Sequence, residues 1–313
     1  MYAREVRDLA AIIVTHNSSD EAVRCAESLA RTSNSLRRVL IVDSGSDPEQ
    51  TELLQSANFT PEMPPIKVVK TENVGYAAAL NIGIRELKVG DDDLLLLCNA
   101  DIIFHLGSVD AMADVVRYGE VDIVGPRILT GQRGGSRVWS QGGRLHTVLG
   151  YTTMNGRFPR RASAGKSLNL ASFVPGAVWL LGANTFSEAG PLREDLFMYF
   201  EDAEFLLRCR AKGLRVGCLD SATVWHKVGG SSGEEGKSLL FFSFMQRNRL
   251  LVFGEKSIVR RLTVLLSPYT LFLLLWGWLE VPKKKHYLRC MGIALRDGLQ
   301  GQSRSSFRKE LFL

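Results

Sequence analysis

The chain has 313 residues, 45% hydrophobic, 23% charged and 9% aromatic, enough for one large domain or two modest ones and incompatible with intrinsic disorder or a fibrous repeat. Its five cysteines (Cys25, Cys98, Cys209, Cys218, Cys290) are odd in number, widely spaced and free of any C-x-x-C pair, which excludes a disulfide framework and a zinc ribbon and fits a reducing cytosol. The net charge of +6 is uneven: residues 1–253 carry 28 Lys and Arg against 29 Asp and Glu, residues 254–313 carry 11 against 4, and no nucleic-acid partner is expected.

Met1–Ala10 carries Arg4, Glu5, Arg7 and Asp8, and the apolar run that follows is too short for the h-region of a signal peptide, so export is not expected. From there, short apolar runs alternate with amphipathic segments. Buried strands are expected at Leu9–Thr15, Arg38–Val42, Ile66–Val69, Leu94–Cys98 and Val121–Val124. Helices are expected at Asp20–Arg31, at Asp47–Ala57 with an Asp in N-cap position, at Ala77–Leu87 and at Ser108–Arg117. Regular alternation predicts an α/β fold with a parallel, doubly wound sheet, whose ligands bind outside the carboxyl ends of the strands. Polar groups stand at or just beyond those ends: Thr15-His16-Asn17, Asp43-Ser44-Gly45, Asn73-Val74-Gly75 and Asn99-Ala100-Asp101. Each set alone is an ordinary turn. Their joint occurrence at one sheet edge marks a site, and the absence of both a G-x-G-x-x-G after the first strand and a G-x-x-x-x-G-K-[ST] anywhere excludes the glycine-loop ways of holding phosphate. A carboxylate such as Asp101 at a strand end can instead hold a divalent cation against a diphosphate.

Farther along, Thr130–Ser172 is rich in Gly, Arg and Ser, and its Arg157, Arg160, Arg161 and Lys166 read equally as a cover for a lipid diphosphate or as a solvated loop. Glu201-Asp202 follows Phe197-Met198-Tyr199-Phe200 and opens a helix through Arg210, where the dipole favours an ionised carboxylate fit to act as a base or simply to stabilise the helix. A strand from about Val216 ends in His226, a candidate metal ligand. A helix over Lys237–Phe253 carries Arg247 and Arg249, candidates for a diphosphate clamp. Leu262–Leu279 is the most apolar stretch, flanked by Arg260, Arg261 and Lys283–Lys285 and interrupted by Ser267, Pro268 and Thr270. Its eighteen residues are at the low end for a span, so a helix lying in or dipping into one leaflet of an anionic membrane is expected, with a buried helix pair or dimer interface as the alternative.

The ordered set T-H-N-S, V-D-S-G-S, E-N-V-G-Y, L-C-N-A-D, P-G-A, F-M-Y-F-E-D-A-E, V-W-H and Gln246-Arg247-Asn248-Arg249 resembles the family 2 inverting glycosyltransferases, most of all their rhamnosyltransferase branch, over roughly residues 9–253. The resemblance implies a GT-A fold with a Rossmann-like, mostly parallel sheet flanked by helices. Its catalytic domain would span 1–253, with a nucleotide-sugar half over 1–125 and an acceptor half over 126–253; a helical, membrane-associating extension would follow over 254–313. It also implies roles. Thr15 and Asn17 border the nucleotide, Asp43 accepts from the imide N–H of uracil or thymine, and Asn73, Gly75, Asn99 and Arg247 serve the donor. Asp101 and His226 hold Mg²⁺ or Mn²⁺, with Asn99 standing where the family's D-x-D motif has its first Asp. Gly176 and Ala177 hold the acceptor, and Asp202 is the general base with Glu201 supporting it. The implied reaction moves a sugar from a dTDP- or UDP-sugar, foremost L-rhamnose from dTDP-L-rhamnose, onto a polyprenyl-diphosphate-linked sugar in cell-wall or surface-polysaccharide synthesis. The enzyme would sit peripherally on the cytoplasmic face of the membrane, with a homodimer left open. The alternatives are another sugar on a lipid or polysaccharide acceptor, and a catalytically inactive GT-A scaffold. A nucleotidyltransferase is disfavoured because no Gly-rich, Arg-containing loop follows Val14.

Overall fold

The structure, a computed structural model, describes residues 8–131, 137–156, 167–227, 238–254 and 257–302. Its first half follows the hydrophobic pattern closely. Strand β1 (Leu9–Thr15) is buried along its whole length, as a central parallel strand covered on both faces must be. Helix α1 (Ser19–Thr32) buries Ala22, Cys25, Ala26 and Leu29 at helical spacing. Then come β2 (Leu36–Ser44), α2 (Pro48–Gln55), β3 (Ile66–Thr71), α3 (Tyr76–Leu87), β4 (Leu94–Asn99), β5 (Ile102–Phe104) and α4 (Ser108–Arg117). The second half contains β6 (Ile123–Thr130), β7 (Arg137–Ser140), β8 (Gly143–His146), β9 (Tyr151–Met154), β10 (Leu168–Leu170), β11 (Val178–Gly182), α5 (Asn184–Ala189), α6 (Glu201–Ala211) and β12 (Val216–His226). Four helices close the chain: α7 (Leu239–Phe253), α8 (Ile258–Leu265), α9 (Pro268–Glu280) and α10 (Lys284–Gln300).

The main sheet runs β10-β12-β6-β11-β4-β1-β2-β3, with β5 on β12 and β7 on β6. Strands β3, β2, β1 and β4 are parallel, as the alternating pattern predicts. The expected fifth strand starts two residues late, at Ile123, and does not join β4 directly: β11 lies between them, antiparallel to both. Alternation stops after α4, so β11 returns without a crossover helix and runs the other way. Pro126, inside the buried β6, lacks a ladder N–H; opposite it β12 bulges, and the register jumps from Leu219↔Pro126 to Thr223↔Arg127.

Side chains alternate along β1, so that Leu9, Ala11 and Ile13 face a core shared with α1 and α4, while Ala10, Ile12 and Val14 face one shared with α3, α6 and α7. All five cysteines are buried and unbridged. The apolar Leu262–Leu279 stretch is two helices, α8 and α9, bent by 51° where Ser267 precedes Pro268 at the first position of α9. Among the described residues no single helix is long and apolar enough to cross a membrane. The expected boundary at 253/254 does not divide the packing. Val264, Leu265, Leu295 and Leu299 belong to the core that holds Phe200 and Phe253, and Gly298 lets α10 approach until an added Cβ would stand 2.8 Å from Leu250.

Candidate active site

At the ends of β1 and β2 the loops hold one another. Asp43 is fully buried; one carboxylate oxygen accepts from the Ser46 N–H at 3.0 Å and the other from the Thr51 hydroxyl at 2.8 Å. Asn17, at a φ of 52°, donates its N–H to Ser46 Oγ at 2.8 Å and accepts from the Asp47 N–H at 2.7 Å. His16 bridges onward, with Nδ1 2.9 Å from the Ser44 carbonyl and Nε2 3.3 Å from Asn73 Nδ2. Asp43 thus locks its own loop, and Asn17 ties two loops together. Two buried hydroxyls on this edge, Thr15 Oγ1 and Ser44 Oγ, have no partner among the described residues. Gly75 is required by the chain itself: at a φ of +87° it passes under Phe197, whose carbonyl an added Cβ would meet at 2.4 Å.

The end of β4 meets the end of β12 through β5, a three-residue strand that the sequence pattern did not reveal. Its antiparallel register, Ile102↔His226 to Phe104↔Val224, sets Asp101 beside the imidazole. His226 Nε2 lies 3.1 Å from Asp101 Oδ1, with both side chains largely buried, and Trp139 packs edge-on to the ring at 5.1 Å. His226 Nδ1 is buried with no partner among the described residues. Two ligands of one octahedral Mg²⁺ or Mn²⁺, each about 2.1 Å from the ion, sit about 3 Å apart, so this carboxylate–imidazole pair fits such a cation. Among the described residues no group of three or more His, Cys, Asp and Glu gathers in that way.

Asp202 is the second residue of α6, and two backbone amides hold it: the Gly176 N–H at 3.1 Å and the Ala203 N–H at 2.7 Å. Gly176 has no side chain for a steric reason, since an added Cβ would stand 2.9 Å from Asp202 Cβ. The Asn99 N–H donates to the Ala177 carbonyl at 3.0 Å, and the Tyr76 hydroxyl donates to the Gly176 carbonyl at 2.8 Å. The strand end leading to Asp101 is thus lashed to the Asp202 carboxylate through Gly176-Ala177. Burial raises Asp202 above the usual carboxylate range despite its amide donors. Burial, then the neighbouring Asp202, push Glu201 up to about 8, and Glu201 Oε2 has no partner among the described residues.

The turn before this pair is strained. Phe197, Tyr199 and Phe200 have φ of 67°, 65° and 67°, a region that side-chain-bearing residues avoid at a cost of about 1–2 kcal/mol each. Asn248 on α7 holds it there, its amide donating to the carbonyls of Leu196 at 3.0 Å and of Met198 and Tyr199 at 2.8 Å. Arg247 donates to Asp195 and Leu196 carbonyls and orients Asn248 through its Nε. Arg249 is fully buried among the Leu149, Gly150 and Val264 carbonyls and the Gln246, Ser267 and Thr270 side chains. The expected diphosphate clamp is therefore not formed: Arg247 buttresses the turn and Arg249 fixes the α8–α9 bend. Arg157, Arg160, Arg161 and Lys166 lie outside the described residues. Sequence reasoning passed over Tyr76, Trp139 and Asn248; for Asn248 the signal was present, a polar Gln-Arg-Asn-Arg run inside an otherwise apolar helix.

The low-salt glycan biosynthesis hexosyltransferase of Haloferax volcanii is 24% identical over 307 residues, covering 95% of this chain and 92% of that protein. The N-acetylglucosaminyl-diphospho-decaprenol L-rhamnosyltransferase of Mycobacterium tuberculosis is 26% identical over 261 residues, covering 74% and 80%. Among solved structures, GalNAc-T7 with UDP, GalNAc and Mn²⁺ superposes with a TM-score of 0.61 at 14% identity over 81% of this chain, which spans about half (48%) of that one. Residues 1–349 of S. aureus TarS superpose with a TM-score of 0.57 at 12% identity, covering 93% of this chain and 81% of that one. The fold is GT-A. The model of glycosyl transferase family 2 matches residues 10–177, from β1 to the Gly176-Ala177 segment against the Asp202 carboxylate, and the chain belongs to that family.

Proposed function

We propose that this glycosyltransferase moves a sugar, foremost L-rhamnose from dTDP-L-rhamnose, onto a polyprenyl-diphosphate-linked sugar with inversion at the anomeric carbon. The observation that carries the chemistry is the link from Asp101 and His226 through Asn99, Ala177 and Gly176 to Asp202. It fixes a cation-binding pair and a carboxylate on one rigid frame, the arrangement an in-line displacement needs. The donor and acceptor identities draw on the resemblance and on the mycobacterial relative.

Asp202 takes the proton from the attacking hydroxyl, and burial, by raising its pKa, makes it a stronger base than an ordinary aspartate. Glu201, protonated at neutral pH, spares the site a second charge. A divalent cation held by Asp101 and His226 would neutralise charge on the departing diphosphate. The exposed Leu266, Leu271, Leu275 and Leu279, flanked by exposed Arg260, Lys283 and Lys285, form the face that would rest on an anionic membrane.

Titration calorimetry with dTDP, UDP and GDP, each with and without Mn²⁺, tests the donor half. Metal-dependent binding of dTDP or UDP but not GDP is expected, and it should be lost in Asp101→Asn. Rhamnosyl transfer to a polyprenyl-diphosphate-N-acetylglucosamine tests the acceptor half, and turnover only on lipid-free saccharides would overturn it. Flotation of the full chain with anionic vesicles, weakened by Leu271→Asp, tests the membrane face.

A further inference from the structure

Seven rings from separate parts of the chain touch in series along one side of α9. His146 stacks on Tyr151 at 4.4 Å between centroids, and Tyr151 on Tyr269 at 5.2 Å. Tyr269 meets Phe272 at 5.9 Å, and Phe272 meets Trp276 at 5.6 Å. Trp276 meets Phe241 at 5.8 Å, and Phe241 meets Tyr199 edge-on at 5.2 Å. Tyr199, Phe241 and Trp276 pack on one side against the buried cluster around Phe242 and Phe244, yet none of the seven rings is fully buried and Phe272 is 53% exposed.

The series has a direction. On α9 the positions of Tyr269, Phe272 and Trp276 separate the exposed apolar stripe of Leu271, Leu275 and Leu279 from the buried Thr270, Leu273 and Gly277. At its inner end Tyr199 stands two residues before Glu201 and three before Asp202, and its hydroxyl makes no hydrogen bond among the described residues. The ring contacts thereby run from beside the exposed stripe of α9 to Tyr199, three residues before Asp202, and the exposed Lys283 and Lys285 just beyond α9 favour an anionic surface over that stripe.

We propose that this aromatic track seats the isoprenoid chain of the acceptor, in the stretch next to its diphosphate. The inference rests on the lipid-linked acceptor proposed above and deepens it by giving the chain a place. Flat, stiff rings offer large apolar area at little side-chain entropy cost, and a branched isoprenoid covers the edges that the fold leaves wet.

The test is calorimetry, without vesicles or detergent, with dimethylallyl, geranyl and farnesyl diphosphate, which share one head group and differ only in chain length. Wild-type affinity should rise about three- to tenfold with each added isoprene unit. Phe272→Ala and Trp276→Leu should flatten that rise, while Leu106→Ala, at an exposed apolar residue before α4, should keep it. Affinity independent of chain length, an equal loss in Leu106→Ala, or a Phe272→Ala effect on self-association with isoprenoid affinity unchanged would each overturn the track. Chain-length-dependent binding without sugar transfer to a polyprenyl-diphosphate acceptor would sink the proposed function and leave the track standing; transfer without chain-length dependence would do the reverse.

Discussion

The two flanks of the sheet's carboxyl edge adopt left-handed backbone by opposite means. On the nucleotide side the residues suit the conformation: Gly45 and Gly75 take φ of 70° and 87°, and Asn17, a side chain that tolerates the region, takes 52°. On the base side Phe197, Tyr199 and Phe200 take similar angles against their preference, and α7 imposes them from about fifty residues away through Asn248. One flank is built by local chemistry. The other is held by tertiary force, and it carries Asp202, the base proposed above.

Asp202→Asn breaks the comparison most severely. An amide keeps one acceptor for the Gly176 and Ala203 N–H groups, loses the other and cannot take a proton, so kcat should fall about 10²–10⁴-fold. Binding of dTDP or UDP should stay within a factor of about two, because the nucleotide-side loops are tethered independently. Single-turnover kinetics with parallel calorimetry reads both, and retained turnover would remove Asp202 from the base role.

Asn248→Ala attacks the same flank from outside. The Met198 and Tyr199 carbonyls lose their side-chain donor, while Leu196 keeps Arg247, and the strained turn loses a restraint, so unfolding by denaturant should show a loss of about 2–4 kcal/mol. A base displaced by even a fraction of an ångström should lower kcat about tenfold to a hundredfold with nucleotide affinity unchanged. Equal loss of kcat and of nucleotide affinity would instead mean that α7 supports the whole edge and that the two flanks are not independent.

Asp43→Asn tests the nucleotide flank. As a loop lock, Asp43 accepts from Ser46 and Thr51, and the amide should cost about 1–2 kcal/mol by weakening the contact with Thr51. The preference for UDP over CDP should not change. A gain in CDP affinity would show that the carboxylate reads the base after all, since an amide N–H there would suit cytosine.

This contrast also explains what the sequence made legible. The ends of β1 and β4, the helices between them and the polar strand ends could be read because each depends on residues within a few positions. Asp101 and His226 were each visible at a strand end, but what brings them together is β5, only three residues long and too short for any periodicity. Arg247 and Arg249 were misread for a related reason: charge in a sequence suggests solvent or an anion, whereas here backbone carbonyls satisfy both guanidinium groups in the interior. Burial lowers the pKa of each to about 10, leaving them charged at neutral pH.

The smallest effect concerns Glu201, and its sign follows from burial. With its pKa raised to about 8, the native carboxyl keeps a proton through a range in which the unfolded chain has released it. Unfolding therefore releases a proton, and stability falls as pH rises from the ordinary glutamate range near 4.5 toward about 8. Glu201→Gln removes this share of the slope, while Asp202, also raised, keeps its own. Thermal unfolding from pH 5 to pH 8 should show the variant gaining a few degrees on the wild type at the alkaline end, on the order of 2–4 °C for each kcal/mol recovered. With Asp202 as the base proposed above, any acid limb of kcat should persist in the variant. If the two melting curves stay parallel across that range, Glu201 is already ionised in the native protein, and the base works beside a second negative charge rather than beside a neutral acid.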